Sequence, residues 1–152
     1  MTAYKTLASL CTAVLAACSN DTPVSDAIRA LAVEGEFIRI SEHTEFEWDT
    51  FHVFSPYTTR EDLCSKIGHM MNDCTTKMPE FIDEGKYLLG FSKAGIIVHT
   101  EFYRRGKAEF CKMSCSIEFT HEDAIFRYMR IEPQAGLLPP LDLVSVQERT
   151  AK

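Results

Sequence analysis

The chain has 152 residues, 45% of them hydrophobic, which is enough for one domain with a substantial core. Its formal net charge is −6, and the acidic and basic residues are mixed along the chain. This excludes the basic stripe of a nucleic-acid binder, and it argues against charge-driven adhesion to an anionic membrane.

The amino terminus carries one cation, Lys5, followed by an uncharged, largely apolar run from Leu7 to Ala17. That run is shorter than the roughly 20 residues of a membrane span. It also lacks the polar face of an ordinary surface helix. The layout is that of a secretory signal peptide. Leu15-Ala16-Ala17-Cys18 resembles the lipobox of bacterial lipoproteins. The resemblance implies that residues 1–17 are a cleaved signal and that Cys18 is acylated, so that acyl chains hold the protein to the membrane. Two acyl signals suffice for stable attachment. Loss of Lys5 would take the net charge from −6 to −7. Ser19, not Asp, follows the cysteine, which by resemblance to enterobacterial lipoproteins implies the outer membrane, facing the periplasm. On this reading 18–22 is a polar tether, 23–135 the folded domain and 136–152 a tail.

Thr22-Pro23 is expected to open a helix, with Thr as cap, Val24, Ile28 and Leu31 as its apolar stripe, and an end near Gly35. Residues 36–41 form a strand, and His43-Thr44 turns into a stronger one over 46–54. There Phe46, Trp48 and Phe54 share one parity while Phe51 and Val53 take the other, so this strand should be central and covered on both faces. Thr58-Thr59-Arg60-Glu61 matches a capping box. It precedes a helix with Leu63, Ile67, Met70 and Cys74 on one stripe, and 72–85 then reads as a loop. A hairpin joins 87–91 to 96–102 around Ser92-Lys93-Ala94-Gly95. Ile96, Val98, Thr100 and Phe102 take one face, and Ile97, His99, Glu101 and Tyr103 the other. A third meander strand over 109–119 turns Cys111, Met113, Cys115, Ile117 and Phe119 inward. Thr120 to Asp123 reads as a short capped helix, 126–131 as a last strand, and Pro139-Pro140 excludes helix from the tail. The pattern predicts a single α+β domain, with two main helices and a mainly antiparallel sheet of five to six strands.

Four cysteines remain in such a mature chain: Cys64, Cys74, Cys111 and Cys115. Export to an oxidising compartment suggests disulfides. Cys111 and Cys115 are four residues apart on one strand face, about 13 Å at the usual rise, beyond the reach of a bridge. If all four pair, each strand cysteine must join Cys64 or Cys74 and staple the helix to the sheet, and at least one such bridge is expected. The alternative leaves Cys111 and Cys115 as buried thiols, with Cys64 and Cys74 paired or free. Neither Cys-x9-Cys nor Cys-x3-Cys matches a zinc knuckle, so no metal is expected, and no cofactor motif is present.

The histidines at 43, 52, 69, 99 and 121 do not cluster in sequence. Asp49 and His52 fall on opposite faces of their strand and cannot form a local dyad. His99 beside Glu101 could act as a base, although a solvated outer strand face accounts for both. A Cys–His pair, adjacent in space rather than in sequence, stays open. There is no Gly-x-Ser-x-Gly elbow, phosphate loop or dinucleotide fingerprint. Residues 48–58 are similar to a Trp-Asp…Pro-Tyr-Thr pattern of small uncharacterised bacterial exported proteins. Asp49, His52 and Tyr57 in this segment are the candidate binding surface.

These features predict an envelope lipoprotein with a non-catalytic domain that binds a protein partner, of inhibitor, immunity or assembly-accessory type. The competing reading is a small periplasmic enzyme or ligand-binding domain. A deep pocket lined by Asp49, His52 or Tyr57 would favour the second, and an exposed apolar surface the first. Labelling of cells with an alkyne fatty acid should mark the wild type and leave Cys18→Ser unprocessed and unlabelled. Equal labelling of both would refute acylation at Cys18.

Overall fold

The computed structural model describes residues 22–67, 71–110, 116–130 and 141–146. In chain order they form α1 (Pro23–Ala30), β1 (Phe37–Arg39), a 3-10 turn (Ile40–His43), β2 (Thr50–Phe54), α2 (Arg60–Ile67), α3 (Met71–Lys77), β3 (Lys86–Lys93), β4 (Ile96–Arg104), β5 (Ala108–Glu109), β6 (Ser116–Thr120), β7 (Ile125–Met129) and β8 (Leu141–Ser145). The domain is α+β and largely antiparallel. The expected single sheet is two four-stranded sheets, ordered β1-β7-β8-β5 and β4-β3-β2-β6.

Strand β2 lies between β3 and β6, and its two parities feed two cores. Phe51 and Val53, with Leu89 and Phe91 of β3, meet Ile38, Phe126, Tyr128 and Leu143 of the opposite sheet. Phe54, Leu88 and Ile97 face the other way, against Leu63 and Ile67 of α2, Cys74 of α3, and Met78 and Ile82. The result is three layers: sheet, sheet, helical pair. Truncation of a fully buried aromatic such as Phe51 would cost about 3–5 kcal/mol.

Several local expectations are corrected. The strand expected from residue 46 begins at Thr50, so Phe46 and Trp48 escape strand parity and pack into the core of Phe51, with the Trp48 indole N–H bonded to Thr44 Oγ1 at 3.0 Å. In the β3–β4 hairpin, Ala94 (φ 49°) and Gly95 (φ 74°) are both left-handed, as a tight two-residue turn requires. A register shift pairs Phe91 with His99 but Ser92 with Ile97, leaving Val98 as a bulge. The bulge sends Ile97 to the helical side, so the alternation expected along this strand breaks there. The strand expected over 109–119 is represented by β5 and β6, which belong to different sheets; β6 pairs with β2 rather than extending a meander. Residues 120–123 make a turn instead of a helix, although the Asp123 N–H still reaches Thr120 Oγ1 at 3.3 Å as in a cap, and the Thr120 hydroxyl donates to Asp123 Oδ2 at 2.7 Å. The supposed tail contains β8, whose Leu141 and Leu143 are core residues.

The expected helix over Leu63 to Cys74 is two helices. Thr59, not Thr58, caps α2: the Asp62 N–H reaches Thr59 Oγ1 at 3.3 Å, and the Thr59 hydroxyl donates to Asp62 Oδ2 at 2.9 Å. In one continuous helix Cys64 and Cys74 would lie about 15 Å apart. With α3 packed beside α2 their Cα atoms are 5.7 Å apart and they form a disulfide. Both helix cysteines are therefore consumed, and the expected staple from Cys111 or Cys115 to this segment is corrected. The strand cysteines themselves lie outside the described residues, as do Cys18 and most of the tether.

Helices of eight and seven residues are marginal alone, so the bridge and the second core must hold them. A link across ten residues restricts the unfolded chain by about 2.5–3 kcal/mol on the chain-entropy model. Denaturant unfolding of Cys64→Ser/Cys74→Ser should show a loss of about that size, with the wild type falling to the same value in excess dithiol. Unchanged stability would mean that the helical pair is held by packing alone.

Candidate functional site

The polar residues on β4 are interior ties. Glu101 is 4% exposed, and its Oε1 accepts the Ser25 N–H at 2.6 Å and the Ser25 hydroxyl at 2.9 Å. Thr22, the expected cap, instead donates to Asp26 Oδ2 and makes no cap bond to the helix backbone. A carboxylate from β4 thus caps α1 across 76 residues, where the helix dipole also favours negative charge. His99 Nε2 is 3.4 Å from Glu101 Oε2, so the pair read as an outer face looks inward. The Ser25 hydroxyl is turned to Glu101 rather than to His99, which leaves no Ser–His relay.

His52 sits on the opposite face of the same sheet, 5% exposed, with Nε2 3.3 Å from Ser92 Oγ and Glu118 directly across on β6. Burial lowers the imidazole pKa below its ordinary 6.5, and the Glu118 and Asp49 charges only partly offset this. A serine, a histidine and a glutamate on adjacent strands have the parts of a nucleophilic relay. Ser92, however, is itself 3% exposed, which closes it to a substrate in this conformation.

Asp49 has a structural task. Its Oδ2 accepts the Ala94 N–H at 2.7 Å, its N–H reaches Ser92 O, and its carbonyl accepts the His121 N–H. It straps the hairpin turn to the start of β2. On β5, Glu109 takes bonds from the Tyr87 hydroxyl, Arg105 Nε and Gly106 N–H. The Tyr103 hydroxyl bonds Ala108 O, and burial pushes its pKa up to about 12. Among the described residues no buried side-chain nitrogen or oxygen lacks a partner. No group of three metal-ligating side chains occurs among them.

Of the three candidate binding residues, His52 is buried and Asp49 and Tyr57 are exposed, but the Asp49 carboxylate is taken up by the hairpin turn. Tyr57 is 60% exposed and has a left-handed backbone, φ 67°. Its ring lies 6.0 Å from that of Phe81, itself 46% exposed. Three backbone bonds hold the two segments together: Tyr57 N–H to Ile82 O, Ile82 N–H to Thr58 O and Arg60 N–H to Glu80 O, around a Thr59–Phe81 bridge. Beside them is a cleft of about 620 Å³, lined by Thr59, Arg60 and Glu61 at the start of α2, Cys64 of the disulfide, Ser65, Thr75 and Glu80. Asp49 and Tyr57 flank opposite ends of β2 with His52 buried between them, so the expected surface does not assemble. Phe81 and Glu80 were missed by the sequence reading; an aromatic inside a segment otherwise polar enough to be a loop was their signal. Comparison of the chain with protein-family models, with curated proteins and with solved structures found no match.

The buried, neutral His52 gives a pH signature. Above pH 6.5 the folded and unfolded chains both hold it uncharged. Below 6.5 the unfolded chain binds the proton first, so stability falls as pH drops. Urea midpoints measured from pH 7 to 5 should decline less in His52→Gln than in wild type, and parallel declines would show that His52 does not contribute.

Proposed function

We propose that the chain is a lipid-anchored envelope protein, at the outer membrane, whose folded domain docks a protein partner through the Tyr57–Phe81 face and has no catalytic task of its own. The carrying observation is the exposed aromatic pair, fixed by a backbone bridge. Tyrosine and phenylalanine bury large area on association, and aromatic residues dominate binding energy at interfaces. Because Thr59 and Phe81 are already paired, little ordering entropy remains to be lost when the surface is covered. The Cys64–Cys74 bridge supports an oxidising address, which agrees with the lipobox-like amino terminus. A ligand-binding reading draws on the neighbouring cleft, whose volume would suit a small molecule. Neither Asp49 nor His52 lines it, which favours docking over small-molecule chemistry.

The test is site-specific photocrosslinking in intact cells of the source bacterium, with benzoyl-phenylalanine at position 81 and, as control, at exposed Val33 on the α1–β1 connection. A discrete adduct from position 81, absent from position 33 and weakened at least tenfold by Tyr57→Ala, is expected. No adduct from 81, or the same adducts from both positions, would refute docking on this face.

A further inference from the structure

We infer that the partner segment is cationic: a lysine or arginine side chain enters the cleft between Glu61 and Glu80 while a neighbouring apolar residue packs on Tyr57 and Phe81. This rests on the docking reading above and names the partner's chemistry.

The argument is about which polar groups of the cleft are already engaged. Three of its donor groups are engaged within the chain. Arg60 gives its Nε to Met78 O at 3.1 Å, the Thr59 hydroxyl donates to Asp62, and the Ser65 hydroxyl donates to Asp62 O. Three cations in the nearby segments are tied as well, whereas Lys66 of α2 is exposed: Lys86 pairs with Asp83 at 2.8 Å, Arg105 with Glu109 at 2.7 Å, and Lys77 donates to Ile97 O. Elsewhere Asp26, Glu34, Glu42 and Glu47 each face a cation. Glu61 and Glu80, both lining the cleft, have no side-chain ion pair or hydrogen bond among the described residues. A third carboxylate, Glu84, lies beside the Tyr57 hydroxyl. Arg60 offsets one of the two lining glutamates, so the cleft keeps a formal net charge of −1 and the open acceptor capacity of two carboxylates.

An ammonium or guanidinium is its complement, since both are donors only. The aromatic rim adds to this, because a cation over a tyrosine or phenylalanine face is attracted by the ring quadrupole, and the aliphatic stem of Lys or Arg covers apolar surface. An apolar residue beside the cation is needed because the carboxylates alone would leave the two rings uncovered. A free small cation would meet the charge but not the rings.

The probe is a pair of peptides, acetyl-Gly-Lys-Leu-Lys-Gly-amide and the same sequence with Glu for Lys, offered to the full-length protein in detergent and followed by saturation-transfer NMR at the leucine methyls. Saturation should reach the lysine peptide and be at least fivefold weaker for the glutamate peptide. It should be lost to a similar degree for the lysine peptide on Glu61→Gln/Glu80→Gln. The thermal midpoint of that variant should fall only slightly, because both residues are exposed and only Glu61 faces a helix N-terminus. Equal signals from the two peptides, no signal from either, or full signal on the double variant would overturn the inference. In cells, a position-81 adduct that survives Glu61→Gln/Glu80→Gln within twofold would overturn the charge assignment alone. Absence of any adduct in the wild type would overturn the docking reading, while the peptide result still decides the chemistry of the cleft.

Discussion

Burial of the β4-β3-β2-β6 sheet on both faces is the constraint on which the other features depend. A sheet covered once can leave half its side chains in water. Here Phe51 and Phe54, three residues apart on β2, are both fully buried and require separate cores. The second sheet supplies one cover and the α2–α3 pair the other. Each cover is weak alone: the strands of the outer sheet are short, and the helices have barely two turns. The sheet between them gives each its apolar surface. Loss of either cover would expose a face rich in Phe, Leu and Tyr.

The connections that carry the chain between layers are fixed by buried carboxylates rather than by ion pairs on the surface. Glu101 holds α1 to β4, and Glu109 gathers Tyr87, Arg105 and Gly106 where the chain leaves the central sheet for β5. Each accepts several donors, which is the condition under which a buried carboxylate is tolerated. Removal of one would leave buried donors unpaired, at about 1–3 kcal/mol for each group stranded. The same reasoning removes His99–Glu101 from consideration as a reactive pair, because the glutamate already binds the helix.

What could be read from the sequence was set by local periodicity. The two-sided burial of β2 follows from Phe51 and Val53 against Phe54, and the β3–β4 hairpin from Ala94-Gly95. The features that were not legible are those decided by distant partners. Val98 bulges because Ser92 pairs with Ile97, and nothing local marks the slip. The helical segment folds back, which converts a cysteine spacing unsuited to a bridge into a bonded pair. That is the pairing held as the alternative, not the one preferred. The site was half legible: Tyr57 stood out in an unusual segment, but Phe81 is 24 residues later and reaches it only through the Thr59–Phe81 bridge.

The backbone at Tyr57 bears on how that surface should be understood. At φ 67° an L-residue carries a steric cost of about 1–2 kcal/mol that glycine avoids. The turn between β2 and the cap of α2 would therefore form more readily with glycine at this position. Core packing does not compensate for the tyrosine, since its side chain is 60% exposed and its main ring neighbour is another exposed aromatic. Two bonded segments hold the conformation, through the Tyr57 N–H on Ile82 O and the return bond from Ile82 to Thr58. Strain maintained by such a frame, at a residue whose side chain contributes little to folding, supports the docking proposed for this face. The disulfide then has a second consequence beyond stability. By fixing α3 against α2, it fixes the cleft next to the rings, so that the aromatic and acidic parts of the face form one rigid unit, as the docking proposed for it requires.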